Sequence, residues 1–124
     1  MRGPLGPDSI PIVRSRSTQF DELVLDAVDR LQPRWSAELA EVEFGVEDIP
    51  PDLRAGTISL GAVEPAQPPQ PPRIVVYRRP VEGRAADRQL LRLLLNDVVV
   101  EQVAELLGLD PQDVDPDYLG PAPD

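Results

Sequence analysis

The stretch that decides the fold is Asp87–Gly108, DRQLLRLLLNDVVVEQVAELLG. It contains no proline, and its single glycine stands at the end, where a left-handed C-terminal cap is favoured. This pattern predicts one helix from about Asp87 to Leu107. Its apolar residues cover more than half of the helix circumference: Leu95, Val99, Val100, Val103, Leu106 and Leu107. We therefore expect this helix to be buried on most sides and to be the central packing element.

An acidic stripe interrupts this apolar surface. Asp97, Glu101 and Glu105 are spaced four residues apart, so they lie on one face of the helix. Like-charge repulsion on a partly buried face predicts that the pKa values of these carboxyl groups are raised in the folded protein. The stripe is the candidate functional feature of the helix.

The rest of the chain predicts a small α+β domain. An apolar face with helical spacing, from Phe20 to Leu31, predicts a helix that begins near Ser17 and ends at Pro33. A short second helix follows at Arg34–Ala40. Three segments have the composition of strands: Val42–Glu47, Thr57–Val63 and Arg73–Arg79. The proline tract Pro65–Pro72 between the last two predicts a surface loop in polyproline II conformation. We expect a three- or four-stranded sheet packed against two main helices.

Proline distribution and charge limit the organisation and the partners. Prolines concentrate toward both ends, so we expect flexible tails at 1–16 and 111–124 around a folded domain at 17–110. The net charge of −10 argues against nucleic acid and anionic membranes as partners, because both attract basic surfaces. The N-terminus has no apolar signal region, which favours a cytoplasmic location. The oligomeric state is not predictable from these features.

The order of these segments resembles the minimal zincin-like metallopeptidase family of bacteria. FDELVLDAVDRL, starting at Phe20, is similar to the opening helix of that family, and VEFGVEDIPP is similar to its first strand. ISLGAV and RIVVYRRP are similar to its next two strands. VVVEQVAELLGLD aligns with the helix that carries the metal-binding motif H-E-x-x-H-x-x-G in active members. The resemblance covers about Phe20 to Asp110 and implies the zincin-like α+β fold.

The chain departs from this family at the catalytic motif. Counting back from Gly108, Glu101 and Glu105 stand at the two histidine positions, and Gln102 stands at the position of the catalytic glutamate. The third ligand position of the family falls on Pro111, which has no side-chain donor. The whole chain contains no histidine and no cysteine. Zinc sites use mainly these two residue types, so the sequence predicts no zinc, no other cofactor and no catalytic residue.

Three interpretations of the acidic stripe stay open. It is a solvated face over a shallow groove left by a lost metal site, a groove that binds a basic protein or peptide partner, or a carboxylate-only metal site. A carboxylate site would suit Ca²⁺ or Mg²⁺, although these cations need about six or more oxygen ligands. The sequence favours a non-catalytic member of the family that acts by binding. A divergent hydrolase or a carboxylate-only metal-binding protein is the alternative.

Overall fold

A computed structural model describes residues 16–51 and 59–120 as a small α+β fold. This confirms the predicted fold class. The elements in chain order are α1 (Arg16–Leu39), β1 (Glu43–Glu47), β2 (Gly61–Glu64), β3 (Arg73–Tyr77), α2 (Arg78–Arg84), α3 (Arg88–Leu107) and α4 (Pro111–Val114). Apart from Arg16, the predicted N-terminal tail lies outside the described residues.

Helix α3 is the central element, as the sequence predicts. The side chain of Asp87 caps its start by accepting a hydrogen bond from the Leu90 N–H at 2.9 Å. Gly108 ends it in the left-handed conformation, with φ 72° and ψ 33°, which a residue without Cβ adopts readily. The buried residues of α3 occupy most of its middle: Leu95, Val98, Val99, Val100, Val103 and Ala104.

Helix α1 packs its predicted apolar face into the same core. The buried residues of this face are Phe20, Leu23, Val24, Ala27, Val28 and Leu31, and Leu39 at the end of α1 is buried in the same cluster. The predicted break after Pro33 lies two residues later in the structure: α1 runs to Leu39, but Trp35, with a φ of −123°, is not helical and divides it by a kink. The predicted short second helix is the part after this kink. The Trp35 indole N–H donates to the Val114 carbonyl at 2.8 Å, which links the kink to α4.

The sheet has three strands in the order β1-β3-β2. Strand β1 is parallel to β3, whereas β2 is antiparallel to it, so the sheet is mixed. Ile74 and Val76 of the central strand face the helical core. Arg73 of the same strand bonds Glu47 on one neighbour at 3.1 Å and contacts Glu64 on the other at 3.5 Å. These ion pairs join the three strands.

Two predicted strands have different bounds in the structure. Strand β3 ends at Tyr77, and Arg78 and Arg79 begin α2 instead of extending the strand. Arg78 makes ion pairs with Asp48 and Glu82, both at 3.0 Å, which hold this helix start against the turn after β1. Of the predicted strand Thr57–Val63, the first two residues lie outside the described residues, and β2 itself begins only at Gly61.

The proline tract forms a turn in place of the predicted polyproline II segment. Gln67 and Gln70 exchange two backbone hydrogen bonds, at 3.1 and 2.7 Å, across a cis Pro68–Pro69 bond. These glutamines supply the N–H groups that the surrounding prolines lack. The tract is exposed from Pro65 to Gln70, as predicted for a surface loop, and it connects the antiparallel strands β2 and β3.

The compact part of the chain continues beyond Asp110, where the sequence places the start of a flexible tail. Helix α4 begins with Pro111, a favourable first helical residue, and its Val114 is only 1% exposed. Val114 belongs to the same hydrophobic cluster as α1 and α3. The predicted boundary is therefore too early, because one buried apolar residue ties this proline-rich segment to the core.

Candidate functional site

The acidic stripe of α3 is divided into a covered and an open part. Asp97 and Glu101 are partly buried, whereas Glu105 is exposed. The cover over the first part is the segment Asp115–Gly120, which we call the C-terminal strap. The sequence predicts a groove along all three carboxylates, but the strap lies on its centre.

The strap covers Glu101 with an aromatic side chain. The Tyr118 hydroxyl donates a hydrogen bond to the Glu101 carboxylate, in a partly buried environment. Burial raises the pKa of Tyr118 well above its usual value, and the hydrogen bond to Glu101 and the charges of Glu101 and Asp97 raise it further. The phenol therefore stays protonated and acts as a donor throughout the physiological pH range.

Asp115 holds the strap in the shape that presents Tyr118. Its carboxylate forms an ion pair with Arg30 of α1 at 3.0 Å and accepts a hydrogen bond from the Asp117 N–H at 3.0 Å. Its backbone carbonyl accepts from the Tyr118 N–H at 2.9 Å, which closes a turn. The strap is thus fastened to α1 through Asp115 and to α3 through Tyr118.

The pKa of Asp97 is raised in the folded protein, in the direction that the sequence predicts for the stripe. Burial is the largest cause, followed by the negative charges of Glu101 and Asp115, while Arg30 acts in the opposite direction. The sequence prediction attributed the effect to like-charge repulsion between neighbours on a partly buried face of the same helix. Burial and the charge of Asp115 both come from tertiary packing, which helical spacing does not reveal.

Gln102, at the position of the family's catalytic glutamate, packs against the edge strand β2. A Cβ atom at Gly61 would lie 3.1 Å from Cγ of Gln102 and 2.9 Å from the backbone oxygen of Val75. Strand and helix therefore approach each other closely only because residue 61 is glycine. An amide at this position has no basic group with which to accept a proton from water.

The residues at the motif positions do not fit a catalytic zinc ion. Glu101 is engaged by Tyr118, Glu105 is exposed, and Pro111 is the first residue of α4 and has no donor. Within residues 16–51 and 59–120, no cluster of three or more histidine, cysteine, aspartate or glutamate side chains could hold a metal ion.

The sequence reasoning missed Arg30, Asp115 and Tyr118 as members of this site. Arg30 has the pattern of a solvated helix position, and the other two stand in the predicted tail. The available signal was the composition of the segment: Val114 and Tyr118 are apolar or aromatic residues in a stretch otherwise rich in proline and aspartate. Such residues in a supposed tail indicate that part of it packs.

Asp97→Asn is expected to raise the stability at pH 7. Since the pKa of Asp97 is higher in the folded than in the unfolded chain, the folded state holds the extra proton as pH rises above the ordinary value of 3.8. The free energy of unfolding therefore falls as the pH rises from this value to the raised pKa of the folded state, and it stays reduced at higher pH. Asparagine carries no charge, so the variant should melt at a higher temperature at pH 7 and lose this part of the acid dependence.

Thermal melts between pH 3 and 7 measure this effect, with the exposed Asp29→Asn as the control. A lower melting temperature for Asp97→Asn at pH 7 would show that attraction to Arg30 outweighs burial and repulsion.

No helix in the described part of the chain combines the length and the apolar composition needed to cross a membrane.

A comparison with curated proteins finds no significant match to this chain. The model of the zincin-like metallopeptidase family matches residues 39–120, which include the sheet, α3 and the C-terminal strap. The match covers well over half of the chain and agrees with the resemblance of the individual segments. The chain therefore belongs to the zincin-like metallopeptidase family.

Proposed function

We propose that this protein is a non-catalytic member of its family and acts by binding a basic segment of a protein or peptide partner. The observation that carries the proposal is the contact between Glu101 and Tyr118. A motif position that would bind a metal ion in active relatives instead accepts a hydrogen bond from the chain's own C-terminal strap. The adjoining Gln102 supports the same conclusion, because hydrolysis by a metal-bound water needs a carboxylate or another base at that position.

The charge of the partner follows from the charge balance of the surface. The net charge is −10, and Arg30, Arg73 and Arg78 are already engaged in internal ion pairs with acidic residues. At the C-terminal end of α3, Glu105 and Asp110 are exposed, and Asp113 of α4 is exposed as well. These carboxylates extend the acidic surface beyond the part that the strap covers. A partner with arginine or lysine side chains complements this surface.

Fluorescence anisotropy with labelled ten-residue peptides tests the proposal. A peptide of alternating arginine and alanine should bind, and a peptide of alternating glutamate and alanine should not. Binding should weaken with added NaCl, since exposed charges are screened. Glu105→Gln should weaken binding by about two- to fivefold, the effect of removing one exposed charge pair.

Glu43→Gln is the matched control, since Glu43 is exposed on β1, the strand at the opposite edge of the sheet from β2. Equal binding of both peptides, or equal losses in the two variants, would contradict the binding surface. Hydrolysis of a peptide in the presence of added Zn²⁺, abolished by Gln102→Ala, would contradict the non-catalytic assignment and favour a divergent hydrolase.

A further inference from the structure

We infer that the C-terminal strap, Asp115–Gly120, is an intramolecular occupant of the binding surface and must leave it before Glu101 meets a basic partner. This inference rests on the proposed function and adds its regulation. In the free protein, Tyr118 takes the hydrogen-bonding position on Glu101 that a partner's cationic group would use. The surface therefore has a closed state, shown by the structure, and an open state in which the partner replaces Tyr118.

The strap is attached so that it can detach without disrupting the core. Its base is fixed, because Val114 is 1% exposed and its carbonyl accepts the Trp35 hydrogen bond. Near the end of the strap, Leu119 is 90% exposed. Two side chains attach the strap: Asp115 forms an ion pair with Arg30, and Tyr118 bonds Glu101 and packs its ring against the core. Release of these contacts leaves Val114 and the buried residues of α1 and α3 in place, so opening costs less than unfolding.

The chemistry of the covered surface indicates which ligand displaces the strap. Tyr118 provides one neutral donor to Glu101, while Asp97 on the same helix adds negative charge close by. An arginine or lysine side chain offers a charge-assisted hydrogen bond to Glu101 and offsets the repulsion among these carboxylates. A basic partner therefore forms a stronger interaction with Glu101 than the phenol does. Because the strap closes the surface, the apparent affinity for this partner is lower than the affinity of the open surface.

Tyr118→Phe tests the inference in the full-length chain. Phenylalanine keeps the ring, which packs against the core, and removes only the hydroxyl that bonds Glu101. Loss of a hydrogen bond to a charged group should shift the strap toward the open state and raise the affinity for the arginine–alanine peptide by about tenfold. Amide exchange of Asp117 and Tyr118, whose N–H groups bond to Asp115, should accelerate by a similar factor. Exchange at Val103, in the buried part of α3, should not change.

Leu119→Ser is the control, since it changes the strap at a side chain that is 90% exposed and should leave exchange and affinity unchanged. Faster strap exchange together with tighter peptide binding in Tyr118→Phe supports the inference. Unchanged strap exchange, or faster exchange with unchanged affinity in a protein that binds the peptide, overturns it while the proposed function stands. Absence of peptide binding in both the parent and Tyr118→Phe overturns the proposed function and, with it, the competition.

Discussion

Val114→Asp is expected to lower the free energy of unfolding by at least about 3 kcal/mol, the range expected for burying an uncompensated charge. Val114 is 1% exposed and packs in the cluster formed by α1 and α3. A carboxylate there would lose its hydration and would stand near the acidic groups of the strap and of α3. Either α4 leaves the core and exposes apolar surface, or the charge stays buried, and both outcomes destabilise the fold. Chemical denaturation monitored by Trp35 fluorescence measures the change.

Leu119→Asp introduces the same residue five positions further on, where the side chain is 90% exposed. It should leave the stability within about 0.5 kcal/mol of the parent, as exposed substitutions generally do. The comparison isolates burial from the added negative charge. Equal stability of the two variants would show that the segment after Asp110 behaves as the flexible tail that its composition predicts.

Gly61→Ala is expected to cost about 1–3 kcal/mol, the range for added volume in a tightly packed contact. The new Cβ would lie 2.9 Å from the Val75 backbone oxygen, which cannot move without disturbing the pairing of β2 with β3. It would also lie 3.1 Å from Cγ of Gln102, so the Gln102 side chain must shift at the motif position. Thermal or chemical denaturation measures the loss.

Gly83→Ala is the control for the general effect of replacing glycine. Gly83 lies in α2, and a Cβ there would meet no atom within 4 Å. Since alanine favours helix relative to glycine, this variant should be at least as stable as the parent. If Gly61→Ala were equally well tolerated, the contact between β2 and α3 would be looser than the structure indicates.

The chain by itself determined its two main helices and its family. The apolar faces of α1 and α3 follow from helical spacing, and the cap at Gly108 follows from the preference of glycine for the left-handed conformation. These are local properties, so they can be read without a structure. The absence of histidine and cysteine likewise depends on composition alone. The order of the segments was sufficient to identify the family, which the match over residues 39–120 confirms.

Tertiary structure decided what happens at the motif positions. Tyr118 lies 17 residues after Glu101, and Arg30 lies far before Asp115, so neither contact has a local signal. The change from strand to helix at Arg78 likewise depends on a partner elsewhere in the fold, Asp48. Helical spacing places three carboxylates on one face, but it does not determine which of them are covered. That depends on Val114, whose burial brings the strap onto α3 and leaves Glu105 exposed.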